Sequence, residues 1–262
     1  MQPNSTTPAS SAPAWTDADL ARNPHADADK PAKVRGMFAA IAGSYDLNNR
    51  LHSLGRDQAW RKFAVKQAAI KPGDRVLDVA CGTGDLTEAF AKAATSEVVG
   101  CDFTPQMLDV ARSKATRLPA PISAKVRYEE GDAQNLTLPD SSFDVVSIAF
   151  GIRNVQQPTK AIAEFRRVLK PGGRLIVLEF DRPSFAPVRW FNDLYCARVM
   201  PLTATLISRD RSGAYKYLPR SVGTFMSRGE MVQTMERTGF MNVTATPLTL
   251  GICVCYRGMV PS

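Results

Sequence analysis

The hydrophobic and polar positions of the chain divide it into segments of different character. Residues 1–30 are rich in Pro, Ser, Thr and Ala, and they hold too few large apolar side chains to offset the entropy lost on ordering them. The pattern therefore predicts a disordered tail over residues 1–30 and a folded domain over residues 31–262. That domain begins with residues 33–70, which have the pattern of two helices. In the first helix, apolar residues recur at helical spacing at Val34, Met37, Phe38 and Ile41.

From residue 75 the chain alternates short apolar runs with helical stretches, as repeated βα units do. Several of these runs are almost continuous in Val, Leu and Ile, which suits parallel strands covered by helices on both faces. The predicted strands are 75–79, 97–101, 125–129, 143–150 and 173–180, and the clearest helix between them is 158–169. The alternation predicts a doubly wound α/β fold.

After residue 180 the alternation stops. Residues 181–228 are rich in arginine and aromatic side chains, and we interpret them as a helical cap inserted into the domain. A last helix and two strand-like runs, 243–247 and 251–256, follow the cap. The two runs are close enough in sequence to form a hairpin.

Composition excludes several classes of protein. No apolar run approaches the roughly 18 residues of a membrane-spanning helix. The 5 cysteines contain no C-x-x-C pair and only 2 histidines accompany them, so neither a disulfide scaffold nor a metal site is predicted. No secretory signal pattern begins the sequence, and we expect a cytoplasmic protein. The formal charge of +8 permits an acidic partner, such as nucleic acid or an anionic membrane.

A glycine-rich turn carries the first chemical signal. Gly82 and Gly84 follow the buried strand 75–79 and open a helix, where a tight turn lets a nucleotide-like ligand approach the backbone. Asp102 comes eighteen residues after Gly84, at the end of the next strand, where a carboxylate can accept hydrogen bonds from both ribose hydroxyls. Together these features predict a cofactor that contains adenosine.

Two cofactors must be weighed at this site, NAD and S-adenosylmethionine. The dinucleotide fingerprint needs a third glycine where the chain has Thr87. Asp78 in the first strand and Asp132 after the third add carboxylates that would repel a pyrophosphate but suit a sulfonium and an amino group. The charges therefore favour S-adenosylmethionine over NAD.

The chain resembles the class I S-adenosylmethionine-dependent methyltransferases and, among them, the ubiquinone/menaquinone biosynthesis C-methyltransferases. The resemblance covers about residues 33–258. It rests on Trp60-Arg61-Lys62, Gly82-Thr83-Gly84-Asp85, Gly131-Asp132-Ala133, Phe150-Gly151-Ile152-Arg153-Asn154-Val155, Tyr217-Leu218 with Ser221, and Leu248-Thr249-x-Gly251. The chain departs from the family at Ala149, where serine is frequent, and at Tyr256, where histidine is usual.

The resemblance implies a Rossmann-like, doubly wound, seven-stranded sheet, mostly parallel, with a C-terminal antiparallel hairpin. It implies C-methylation of a prenylated quinol, most naturally of demethylmenaquinol to menaquinol. Another small phenolic or lipid-like acceptor is the alternative. The residues expected to hold S-adenosylmethionine are Asp78, Gly82, Thr83, Asp102, Asp132 and Ala133, with Asp132 and Ala133 beside the adenine.

Catalytic residues are predicted from the need to stabilise a phenolate. Arg153 and Asn154 follow the fourth strand and are expected to face the quinol oxygens; a structural salt bridge is the alternative for Arg153. Tyr45 lies in a segment, with Asp46 next to it, that can fold over the cofactor or simply end and cap a helix. His52 and Asp57 are candidates for a general base, but a histidine in a polar loop is commonly exposed to solvent.

The surplus of basic residues in the cap admits two interpretations. Its apolar side can receive an isoprenoid tail while its arginines approach anionic headgroups, which would place the protein peripherally on a membrane. The alternative is an ordinary amphipathic lid with a solvated basic face. Binding to nucleic acid is not expected, because the sequence contains no helix-turn-helix, RNA-binding aromatic motif or zinc finger.

Overall fold

A computed structural model describes residues 13–93, 95–200 and 212–262. Within these ranges, seven strands form one sheet in the order β3-β2-β1-β4-β5-β7-β6. The strands are β1 (Arg75–Val79), β2 (Glu97–Asp102), β3 (Val126–Glu130), β4 (Phe143–Ala149), β5 (Leu169–Phe180), β6 (Met241–Leu248) and β7 (Cys253–Met259). The pairs among β1 to β5 are parallel, and β7 lies antiparallel between β5 and β6. The predicted fold class is confirmed.

Helices cover the sheet and one end of it. They are α1 (Asp17–Ala21), α2 (Lys30–Ile41), α3 (Tyr45–His52), α4 (Arg56–Ala68), α5 (Asp85–Ala91), α6 (Pro105–Ala115), α7 (Ala120–Ser123), α8 (Pro158–Val168), α9 (Ala186–Leu194), α10 (Ala214–Thr224) and α11 (Arg228–Arg237). A π-helical segment, Tyr195–Val199, continues α9. None of the described helices has both the length and the apolar character that crossing a bilayer requires.

The strand pattern of the sequence matches the structure closely. β1 has the predicted bounds, and most other strands differ by one to three residues. The largest difference is at β5, which begins at Leu169 rather than at residue 173, because Leu169 pairs with Phe143 before the Lys-Pro-Gly-Gly turn. The central strands are buried on both faces, which explains their continuous apolar sequences.

The prediction of a disordered tail is wrong for residues 13–30; residues 1–12 lie outside the described residues. Trp15 is 2% exposed and stacks on Tyr217 of α10 with ring centroids 4.6 Å apart. Lys30 is also buried, and its Nζ donates hydrogen bonds to the carbonyl oxygens of Arg153 (2.9 Å) and Val155 (2.7 Å). One large ring and one buried ammonium anchor a segment whose average composition predicts disorder.

The order of the strands places a crevice at one end of the sheet. β1 lies between β2 and β4, so the chain leaves β1 and β4 toward opposite sides. Ligands of open α/β sheets bind at such a switch point, beyond the carboxyl ends of the strands. The loops after β1, β2, β3 and β4 therefore define where the site should lie.

Candidate active site

The loop between β1 and α5 is shaped by glycine. Gly82 and Gly84 have φ angles of 55° and 85°, in the left-handed region that glycine adopts without strain. A Cβ on Gly84 would lie 2.3 Å from Oη of Tyr128, so a side chain there would collide with β3. The loop can therefore turn tightly and leave its backbone open to a ligand.

Asp102, the last residue of β2, is bonded to this loop. Its Oδ2 accepts a hydrogen bond from the Gly82 amide at 2.8 Å, and its Oδ1 accepts one from the Thr104 amide at 2.8 Å. Burial raises the pKa of this carboxyl, and the hydrogen bonds from the backbone oppose that rise. The carboxylate thus fixes the glycine loop from the neighbouring strand.

A cavity that is open to solvent, with about 760 Å³ of empty space up to and including its mouth, lies beyond the ends of β1, β2, β3 and β4. Of the six residues predicted to hold the cofactor, Gly82, Asp102, Asp132 and Ala133 line it. Its walls also include the apolar side chains Phe38, Tyr45, Phe103, Met107 and Phe150. Hence the structure brings most of the predicted cofactor residues together around one space.

The two remaining residues, Asp78 and Thr83, do not line that cavity and support the loop from behind. Asp78 accepts hydrogen bonds from Ser147 Oγ and Thr87 Oγ1, both at 2.7 Å, and burial raises its pKa to about 6. Thr87 stands where a dinucleotide site would have its third glycine. Thr83 donates to Asp46 Oδ1 at 2.5 Å. Both residues therefore form hydrogen bonds that position the loop, and neither lines the cavity.

The short helix α3 folds over the glycine loop. Besides Thr83, Asp46 binds Lys114, whose Nζ lies 2.7 Å from Asp46 Oδ2 and 2.5 Å from Asp85 Oδ1. Tyr45 packs edge-on against Phe38, with ring centroids 5.9 Å apart, and burial raises the pKa of its hydroxyl. Asp46 thus links α3 to the glycine loop and Tyr45 lines the cavity, and closure of the site by this segment stays a prediction.

A second, larger cavity, open to solvent and with about 2640 Å³ of empty space, is lined in part by the predicted cap, of which residues 201–211 lie outside the described residues. It shares Phe38, Tyr45 and Phe150 with the smaller cavity, so these three aromatic residues form the junction between the two spaces. Many of its other lining residues are apolar, among them Met37, Ile41, Phe180, Val188, Phe191, Met200, Leu218 and Ile252. The arrangement offers a compartment for a long apolar ligand next to the predicted cofactor site.

Arg153 and Asn154 lie at the end of β4, beside this junction. Arg153 is 5% exposed, and its Nη1 donates to Glu179 Oε1 and to the Phe150 carbonyl, both at 2.6 Å. Asn154 donates to the Phe150 carbonyl at 3.2 Å and accepts from Tyr217 Oη at 3.0 Å. Arg153 therefore forms the salt bridge that the alternative interpretation predicts. Arg153 also lines the larger cavity, and Asn154 lines the smaller one.

The predicted exposure of His52 is wrong. It is half-buried at the larger cavity, its Nδ1 lies 3.2 Å from Tyr195 Oη in the cap, and burial lowers its pKa. Asp57 is buried as well and accepts hydrogen bonds from Ser53 Oγ and Gln58 Nε2, both at 2.9 Å. Helix α3 and the cap meet through the His52–Tyr195 contact, which sequence spacing does not reveal.

Arg61 is a site residue that sequence reasoning missed. It is 7% exposed, lines the larger cavity and has its guanidinium carbon 5.3 Å from the centroid of the Phe150 ring. Arg61 belongs to the Trp-Arg-Lys motif of the resemblance, but the residue types alone do not show that it is buried. Its neighbour Lys62 is exposed.

Comparisons with known proteins identify relatives of this chain. The model of the ubiE/COQ5 methyltransferase family matches residues 26–260. A demethylmenaquinone methyltransferase of Deinococcus radiodurans is 46% identical over 231 residues, which cover 88% of this chain and 93% of that protein. A ubiquinone/menaquinone biosynthesis C-methyltransferase of Teredinibacter turnerae is 40% identical over 233 residues, 88% of this chain and 92% of that protein.

Solved structures with a similar fold are more distant in sequence. The YcgJ protein of Bacillus subtilis aligns with a TM-score of 0.56 and 20% identity, covering 78% of this chain and 99% of that one. An S-adenosylmethionine-dependent methyltransferase of Aquifex aeolicus aligns with a TM-score of 0.55 and 19% identity, covering 76% of this chain and 89% of that one. These likenesses support the same doubly wound sheet.

Proposed function

Since the chain belongs to the ubiE/COQ5 methyltransferase family, we propose that it methylates a ring carbon of a prenylated quinol, with demethylmenaquinol as the acceptor and S-adenosylmethionine as the donor. The observation that carries this proposal is the meeting of two cavities of different character at Phe38, Tyr45 and Phe150. The smaller one has a carboxylate at a glycine loop, and the larger one is mostly apolar. A reacting ring at the junction would face both.

The residues around the smaller cavity fit S-adenosylmethionine. Asp102 would accept hydrogen bonds from the ribose hydroxyls, and Gly82 leaves room for the ligand beside the loop. Asp132 and Ala133 would flank the adenine. When bound, S-adenosylmethionine supplies a methyl group on a positively charged sulfur. The aromatic wall suits such a cation, because the face of an aromatic ring attracts positive charge.

The acceptor must be held as a phenolate, because loss of the phenolic proton makes the ring carbon far more nucleophilic. Arg153 lies at the larger cavity and Asn154 at the smaller one, and both are fixed by hydrogen bonds to the Phe150 carbonyl. We assign Arg153 to stabilising the quinol oxygen electrostatically and Asn154 to orienting it. Tyr45, neutral and at the junction, would align the ring with the donor.

Methyl transfer from labelled S-adenosylmethionine tests the proposed function. Purified protein should methylate demethylmenaquinol and convert simple phenols without a prenyl chain at least about tenfold less efficiently, because burial of the chain contributes binding free energy. Rings of the demethylated ubiquinol type should be offered in parallel. Product mass and fragmentation identify the methylated carbon. Efficient methylation of unprenylated phenols with no reaction on either quinol would establish the alternative, another phenolic or lipid-like acceptor.

The mouth of the larger cavity supports contact with a membrane. Leu54, Leu250 and Phe191 line this cavity and are 88%, 74% and 67% exposed. Leu54 and Leu250 stand at turn tips with φ angles of 52° and 57°, a conformation that bulky residues rarely adopt. Arg56 and Arg182 line the same cavity and are exposed, and Arg182 forms an ion pair with Asp193 at 2.7 Å. Exposed apolar side chains at a cavity that exposed arginines also line suit a surface of anionic lipid, from which a prenyl chain would enter the cavity.

Vesicle sedimentation tests the membrane contact. The protein should bind vesicles that contain phosphatidylglycerol and bind pure phosphatidylcholine vesicles much less. The triple variant Leu54→Ser/Phe191→Ser/Leu250→Ser should lose more than about tenfold in affinity, because each apolar side chain contributes about 1.5–3 kcal/mol when fully buried. Met241→Ser is the matched control, since Met241 is 50% exposed on β6 and does not line the cavity. If the triple variant binds the vesicles as tightly as the wild type does, these three residues do not form the membrane contact.

A further inference from the structure

Arg61 occupies an unusual position in the two-cavity arrangement. It lies on α4, is buried, lines the larger cavity and covers the ring of Phe150, one of the three junction residues. A group bound at the junction from the side of the larger cavity would therefore lie close to this guanidinium. Arg153 contacts the same residue through a hydrogen bond from its Nη1 to the Phe150 carbonyl.

The charge of Arg61 is poorly compensated. Its Nε lies 4.0 Å from Asp85 Oδ2 and has no hydrogen-bond partner among the described residues. Asp85 already accepts hydrogen bonds from Lys114 at 2.5 Å, Gln58 at 2.9 Å and Arg50 at 3.2 Å. A buried charge without a close partner destabilises the folded protein, and a bound anion would reduce that cost.

Arg153 differs from Arg61 in this respect. Its Nη1 lies 2.6 Å from Glu179 Oε1, and Glu179 is itself 2% exposed. This buried pair offsets part of the charge that Arg153 directs at the quinol oxygen. Of these two guanidinium groups at the junction, Arg61 has the larger share of its charge available.

Above about pH 7 the titratable groups around Arg61 keep fixed charges. His52 on α3, which lines the same cavity, is neutral there because burial lowers its pKa. Burial raises the pKa of Tyr45 on α3 and of Cys253 on β7, so both stay neutral. Burial raises the pKa of Asp78 on β1 to about 6. For Asp85 on α5, Lys114, Arg61 and Arg50 outweigh burial and hold the pKa below its usual value. Above about pH 7, the charges of these groups would therefore not change while a phenol bound beside Arg61 loses its proton.

We propose that Arg61 contacts the phenol oxygen of the acceptor and stabilises its phenolate, which makes it a catalytic residue of the transfer. The inference rests on the proposed function in taking the acceptor to be a phenol. The phenol O–H bond breaks, its proton leaves to solvent, and the electron pair remains on the oxygen facing the guanidinium. The ring carbon then bonds to the methyl carbon while the C–S bond breaks. The proton on that ring carbon leaves to solvent, and the ring becomes aromatic again.

The pH dependence of kcat tests this role. An adjacent cation lowers the pKa of a bound acid by about 1–3 units, so Arg61→Gln should move the rising limb of kcat upward by about 1–3 pH units. At pH values below the limb, the kcat of Arg61→Gln should be about 10- to 1000-fold lower than that of the wild type, since each pH unit of displacement is a factor of ten in the ionised fraction. Arg61→Lys keeps a positive charge, so it should move the limb upward by less than Arg61→Gln does. Lys62→Gln, which removes the adjacent exposed charge, should leave the profile in place. A reduced kcat with an unshifted limb would assign Arg61 a packing role and overturn the proposal.

A second measurement does not depend on methyl transfer. A 4-nitrophenol that carries a geranyl chain should bind in the larger cavity, and its absorbance reports whether it is ionised. Its pKa should be lower when bound to the wild-type protein than in solution, and Arg61→Gln should abolish that difference. If the wild-type protein lowers the pKa but methylates no quinol, the proposed acceptor fails and the role of Arg61 stands. If Arg61→Gln lowers the pKa as the wild type does, the role of Arg61 fails.

Discussion

Replacing Asp102 with alanine should raise the Kd of S-adenosylmethionine at least about 100-fold. The carboxylate is expected to hold both ribose hydroxyls, and a hydrogen bond to a charged group contributes about 1.5–3 kcal/mol. Since 1.4 kcal/mol is a factor of ten in Kd, two such bonds account for the predicted loss. The variant also leaves the amides of Gly82 and Thr104 without their present acceptor, which loosens the glycine loop. Isothermal titration calorimetry with S-adenosylmethionine measures the effect.

Two variants separate binding by Asp102 from general loss of structure. Asp102→Asn keeps the side-chain volume but removes the charge and one acceptor, and it should still weaken binding by about tenfold or more. Asp132→Asn makes the same change at an exposed position of the same cavity, where solvent screens the carboxylate, and it should have the smaller effect. A Kd for Asp102→Asn within twofold of the wild-type value would remove the assigned contact with ribose.

Replacing Arg153 with alanine should abolish methyl transfer and also destabilise the fold. The variant leaves Glu179 buried beside a space that its partner filled, and loss of one member of a buried pair costs about 3–5 kcal/mol. The free energy of unfolding should fall by that amount in urea titrations. Affinity for S-adenosylmethionine should stay close to the wild-type value when it is measured well below the unfolding midpoint, because Arg153 does not line the smaller cavity.

The double variant Arg153→Ala/Glu179→Gln distinguishes the two effects. It removes the unpaired charge, so it should recover much of the lost stability but no turnover. Recovery of turnover along with stability would mean that Arg153 only maintains the fold near β4. Normal turnover in Arg153→Ala would contradict the catalytic assignment outright.

The fold follows closely from the order of residues along the chain. Buried parallel strands need apolar side chains on both faces, so β1, β4 and β5 are visible as runs of Val, Leu and Ile. The glycine loop is equally visible, because a left-handed backbone and contact with Tyr128 admit little else at Gly84. These requirements are local, and local requirements leave a pattern in the sequence.

The local sequence does not determine which polar residues line the cavity and which form internal hydrogen bonds. Asp78 and Asp102 look alike in sequence, each within or at the end of a buried strand, yet Asp78 bonds Ser147 and Thr87 while Asp102 lines the cavity. The direction of a side chain, and the partner it meets, depend on strands and helices that lie far apart along the chain.

The burial of isolated residues also depends on contacts between residues that lie far apart along the chain. Trp15 sits in a segment with the composition of a disordered tail, but Tyr217, about 200 residues away, supplies a surface for its ring. Arg61 and Arg153 are both arginines in family motifs, and only packing gives Arg153 a close carboxylate and leaves Arg61 with Asp85 at 4.0 Å. Composition and periodicity report averages over neighbours in sequence, whereas electrostatic and packing energies depend on distances between residues that only folding brings together.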